Sequence, residues 1–185
     1  MNRLLVLWSL FLVPGLIYAR TPLELAVRAK NVKRVEKLLA EGADPNGIDE
    51  NSVWGMTPLS AAGRYGAVKA AAVLLDHGAD PNLRDDSGST ALLWAIKQGH
   101  EDMVPLLLKH GAKTEMATDD GSNRTPLFWA VLEKQEKTVA ALLAAGADPK
   151  AIYNNIYENK QKPILQIAKE RSTPRIVAML EEHLE

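Results

Sequence analysis

Four histidines and two aspartate pairs are the residues of this chain best suited to acid–base or metal chemistry: His77, His100, His110 and His183, with Asp85-Asp86 and Asp119-Asp120. Hard cations prefer oxygen ligands, so carboxylates converging from neighbouring loops could hold calcium or serve a metal-dependent hydrolase. Each pair is followed closely by a glycine, Gly88 or Gly121, which is also the composition of a tight turn, and the turn is the preferred reading. His77 and His110 each precede a glycine that closes an apolar helical run, where a cation complements the helix C-terminus. There is no His-Glu-x-x-His, no Gly-x-Ser-x-Gly and no phosphate-cradling glycine loop. The absence of cysteine removes thiol nucleophiles, thiolate metal sites and disulfides together. No catalytic set, metal or cofactor is expected.

What remains is a set of elements that present side chains rather than react through them. The 185 residues are 46% hydrophobic and 24% charged, the balance of a folded domain. With 22 Lys and Arg against 23 Asp and Glu, no overall field attracts nucleic acid or an anionic membrane.

The chain opens with Arg3, an apolar run from Leu4 to Val13, the breaker Pro14-Gly15 and a short segment ending in Ala19. This is the layout of a secretory signal, too short in its apolar run to span a bilayer comfortably. Cleavage is expected after Ala19, giving residues 1–19 as signal and 20–185 as the mature domain, periplasmic or secreted and without stable membrane insertion. Two alternatives are a retained membrane anchor of a structural envelope protein and a buried helix of the fold.

From Thr21 onward the chain repeats. Thr21-Pro22-Leu23 with Ala26 recurs at Thr57, Thr90 and Thr125, and in drifted form at Pro163-Ile164-Leu165 with Ala168. A second anchor, Gly42-Ala43-Asp44-Pro45-Asn46, recurs from Gly78, Gly111 and Gly146. Threonine accepts a backbone N–H at a helix start, and proline at the first helical position sacrifices no useful donor. Apolar residues at helical spacing follow, with a second run at Val35, Leu38 and Leu39 and its counterparts, and then glycine as a left-handed stop. Each copy has too little apolar surface to fold alone and enough to stack on neighbours.

These motifs, at a spacing of about 33 residues, resemble the ankyrin-repeat family over everything after the signal. The resemblance implies an all-α solenoid of five helix-turn-helix repeats with hairpin or finger loops, approximately 21–52, 53–85, 86–120, 121–158 and 159–185. It also gives His100 a turn role. The polar second helix of the first copy and the acidic end of the fifth, Glu181, Glu182 and Glu185, read as solvent-facing caps.

From capping threonine to closing glycine the count is constant, from 21 to 42, 57 to 78, 90 to 111 and 125 to 146, whereas the loops between vary. Insertions on one edge of a solenoid are where binding surfaces tend to form. The longer loops carry Val53, Trp54 and Met56, and Ile152, Tyr153, Ile156 and Tyr157. These side chains are either interface anchors or a cover folded over the helical stack.

The resemblance implies a concave face built from loop residues and first helices, and by position it would hold Trp54, Met56, Arg64, Tyr65, Asp86, Ser87, Ser89, Lys97, Gln98, Ser122, Arg124 and Glu133. Trp94 and Trp129 fall at the position of Leu25, read as inward and core. Lys30 and Lys134 replace the turn glycines Gly66 and Gly99, so those turns are expected to differ or to carry strain. Pro105 is expected to interrupt a helix. The functional expectation is a monomeric, non-enzymatic module that binds another protein, in an accessory or inhibitory role.

Overall fold

A computed structural model describes residues 21–48, 55–119, 122–155 and 160–184. The expected signal, residues 1–19, lies outside these, as do Val53, Trp54, Asp120, Gly121, Ile156, Tyr157 and Glu185.

Threonine starts four of the first helices, as its chemistry requires. Thr21, Thr57, Thr90 and Thr125 accept the backbone N–H three residues on at 3.2, 3.0, 3.3 and 3.3 Å. The helices pair in chain order: α1 (Pro22–Arg28) with α2 (Val32–Ala40), α3 (Pro58–Tyr65) with α4 (Val68–Asp76), α5 (Ala91–Lys97) with α6 (Met103–Lys109), α7 (Pro126–Leu132) with α8 (Glu136–Ala144), and α9 (Ile164–Arg171) with α10 (Pro174–Glu182). Before the last pair, β1 (Ile152–Asn155) and β2 (Lys160–Pro163) form an antiparallel hairpin. Pro163 has no side chain to cap α9, but Lys162 clamps β2 to that helix through Glu170 at 2.9 Å. Hydrogen bonds from Lys162 and then Gln166 hold the Glu170 carboxyl below the usual carboxylate range.

First helices pack on first helices and second on second, so the pairs form two layers. The core lies between them, where Leu59, Leu74, Leu92, Leu107, Leu127, Leu142, Ile164 and Ile176 are buried. The approach of α3 to α5 is so close that a Cβ on Gly63 would run into the Ala91 carbonyl.

At the loop edge, Asn46 donates to the Gly78 carbonyl at 3.0 Å and accepts from the Asp80 N–H at 2.7 Å. Asn82 repeats this on Gly111 and Lys113 at 3.0 and 2.8 Å. Glu115 stands at the corresponding position of the third copy and still accepts, from the Asp148 N–H at 3.1 Å.

One local expectation resolves to strain and another is revised. Lys30 and Lys134 adopt φ of 53° and 58°, matching the left-handed 64° and 75° of Gly66 and Gly99, so the turn geometry is kept and the lysines bear the strain. Pro105 breaks no helical bond, because α6 begins at Met103 and puts proline in the first turn, where an N–H has no intrahelical acceptor. Its consequence is length: α6 has seven residues where α2, α4 and α8 have nine.

Candidate protein-binding surface

Within each first helix the residues two, five and six positions after the threonine point into the core, as Leu23, Ala26 and Val27 do. At about 100° per residue, positions four and seven then lie together on the opposite side. Position four is Leu25, Ala61, Trp94 and Trp129; position seven is Arg28, Arg64, Lys97 and Leu132. Leu25 is 50% exposed, which identifies this side as open. The core reading of position four holds for Ala61 and Trp94, which are buried in the hydrophobic core, and Trp129 packs against it, whereas Leu25 is exposed. Trp94 is 8% exposed with one ring edge at the surface of the stack, and Trp129 is partly covered.

Stacking the repeats brings the two positions into one ladder of cations and rings. The Arg28 guanidinium lies 5.2 Å from the centre of the Tyr65 ring, and Arg64 lies 6.0 Å from Tyr65 and 4.7 Å from Trp94. Lys97 follows, 5.4 Å from Trp94 and 4.7 Å from Trp129. Arg124 then lies 5.8 Å from Trp129 and 5.5 Å from Tyr153. A cation within about 6 Å of a ring centroid is attracted by the ring quadrupole, by about 0.5–1 kcal/mol at an exposed site. The ladder thus orders long basic side chains along the strip.

The far end is built on the hairpin. Tyr153 stacks on Phe128 with centroids 4.5 Å apart and accepts a 3.3 Å hydrogen bond from Arg124. It is half-buried, so it both covers the stack and contributes to the strip. Asn123, in the left-handed region with φ of 55°, donates to the Ile152 carbonyl at 2.8 Å and ties the third loop to β1.

The loop before α5 fixes one rung. Asp85 is buried; it accepts from the Ser87 and Ser89 N–H groups at 3.0 Å and from the Trp94 indole N–H at 2.6 Å. Gly88 donates to the Asp85 carbonyl at 2.8 Å with φ of 70°, so this aspartate makes a turn and orients a tryptophan. Asp86 is exposed, and Asp119 is exposed and pairs with Arg84 at 3.8 Å. Among the described residues no three His, Asp or Glu side chains converge as metal ligands. His77 and His183 each approach the carbonyl one helical turn back at 2.8 Å, at the ends of α4 and α10, and His100 packs on Gly66.

Of the residues expected on this face, Arg64, Tyr65, Lys97, Arg124 and Tyr153 come together in the ladder, and Gln98 and Glu133 are exposed at its rim. Met56 does not: it is 1% exposed, because the backbone leading into the Thr57 cap carries its side chain under the helix stack. Ser89 and Ser122 are likewise buried. Trp54 and Tyr157 lie outside the described residues. Arg28, exposed on α1, was missed as a member of the ladder. The signal for Arg28 is its place seven residues after the threonine, shared with Arg64 and Lys97.

A family model for ankyrin repeats (three copies) matches residues 11–85 and again residues 78–153. The chain belongs to the ankyrin-repeat family. Such repeats are generally non-enzymatic and suggest a protein–protein interaction module. Among curated proteins no relative matches the chain.

Proposed function

We propose that this chain is an exported protein-binding module whose partner docks on the open face of the first-helix layer. The observation that carries the reading is the continuous ladder from Arg28 through Trp94 and Lys97 to Tyr153. Aromatic rings and arginines together are the residues enriched in protein interfaces. The fifth helix pair, beyond the matched residues, serves as a fifth, terminal repeat. Its exposed Glu181 pairs with Lys169 at 2.8 Å, while Ile176 and Leu180 face inward. The signal-like layout of residues 1–19 supports a site of action outside the cytoplasm, in the periplasm or released from the cell. In this reading a monomer acts on one protein in an accessory or inhibitory role.

Affinity capture from envelope extract, run in parallel with wild type and an Arg28→Gln/Lys97→Gln variant, tests the surface. A protein retained by wild type and lost with the variant supports it; identical captured sets contradict it. Fractionation with N-terminal sequencing tests export. A mature chain beginning near Arg20 is expected, and full-length protein held in the membrane would overturn it.

A further inference from the structure

The ladder is carried by rings, and the rings are not held alike. Among the described residues two carboxylates are buried, Glu24 on α1, one helical turn before Arg28, and Asp85 in the loop before α5. The two oxygens of Asp85 have separate tasks. Oδ1 accepts from the Ser87 N–H, the Ser87 hydroxyl and the Ser89 N–H, which closes the turn. Oδ2 accepts from the Trp94 indole N–H at 2.6 Å. A turn needs only the first of these oxygens, so the second serves the ring.

That ring carries the middle of the ladder. Arg64, from the preceding helix pair, lies 4.7 Å from its centre, and Lys97 lies 5.4 Å from it and 4.7 Å from Trp129 in the next pair. A hydrogen bond donated by an indole to an anion pushes electron density into the ring, and a ring richer in electrons attracts a cation more strongly. Trp129, whose N–H has no hydrogen-bond partner among the described residues, lacks this support. We infer that Asp85 is a positioning residue of the docking face: it does not reach the partner, and through the Trp94 ring it sets where Arg64 and Lys97 are held. Its role depends on the place of those two cations against the ring, whatever polar groups they also meet. It rests on the docking face proposed above and adds the buried group that fixes its middle rung.

Asp85→Asn separates the two tasks. Its amide oxygen can keep the serine bonds, which sets the amide NH2 against the indole N–H, donor against donor. The mature protein is followed by NMR and by capture from envelope extract. Protons over an aromatic ring are shifted upfield by its ring current, so the side-chain signals of Arg64 and Lys97 report their place on Trp94. In Asp85→Asn those shifts should shrink, the Trp94 indole proton should move upfield as its hydrogen bond is lost, and capture of the partner should fall severalfold. Asp85→Asn added to Trp94→Phe should lower capture no further than Trp94→Phe alone. Unchanged Arg64 and Lys97 signals in Asp85→Asn would overturn the inference and leave Asp85 a turn residue, as would a further loss of capture in the double variant. The wild-type spectrum tests the same link even if Asp85→Asn does not fold: the Trp94 indole proton should resonate downfield of that of Trp129 and exchange slowly, and a signal at the position of a free indole would overturn the inference. If the signals move while Asp85→Asn leaves capture intact and Arg28→Gln/Lys97→Gln abolishes it, the docking face stands and the role of Asp85 in it falls. If the signals move and neither variant affects capture, the docking face itself is misplaced.

Discussion

The indole N–H of Trp94 donates to the buried carboxylate of Asp85 at 2.6 Å, tying the loop before α5 to a ring on its open side. The corresponding N–H of Trp129 is buried with no hydrogen-bond partner among the described residues. One change therefore has two outcomes. Trp94→Phe strands a buried carboxylate oxygen and should cost about 1–3 kcal/mol, whereas Trp129→Phe removes an unsatisfied donor along with some ring area and should stay within about 1 kcal/mol. Urea denaturation of the two variants checks this, and equal losses would argue against the Asp85 contact.

The turns at Lys30 and Lys134 hold non-glycine residues at positive φ. An L-residue there costs about 1–2 kcal/mol, and glycine gives back about 0.4–1 kcal/mol through its freer unfolded chain. Lys30→Gly and Lys134→Gly should each raise stability by about 0.5–1 kcal/mol, seen as a higher denaturation midpoint. Gly66→Ala should do the reverse, since its Cβ would also lie 2.6 Å from the His100 ring.

Leu74 is fully buried between the layers, so Leu74→Ala opens a cavity between stacked pairs and should cost about 2–4 kcal/mol. Lys33 is exposed on α2, and Lys33→Ala should cost less than about 0.5 kcal/mol. Chemical denaturation of both measures the contrast; similar losses would mean the core face is wrongly assigned.

The helix pairs were legible because their determinants are local. A threonine hydroxyl, a proline that needs no N–H and a closing glycine act within a few residues, and each recurs at fixed spacing. The ladder was legible only in part. Arg64, Tyr65, Lys97 and Arg124 are recognisable from their repeat positions, but the cations that cover the core tryptophans Trp94 and Trp129 come from neighbouring repeats, which spacing within one helix does not show. Leu25, at the same position of the first repeat, is exposed because no earlier repeat among the described residues stacks on it. Met56 failed for the opposite reason, because loop residues carry no periodicity and the path of the backbone into a cap decides which of them turn under. Pro105 misled because its effect depends on where a helix begins, and that start shifted to accommodate it.

Site-specific photo-crosslinking tests the docking face most directly. A crosslinking phenylalanine analogue at Gln98, exposed at the end of α5 beside the ladder, is compared with one at Lys69, exposed on α4 in the other layer. Crosslinks to a partner from Gln98 and none from Lys69 are predicted. Crosslinks from Lys69 with none from Gln98 would place the partner on the second-helix layer and contradict the account.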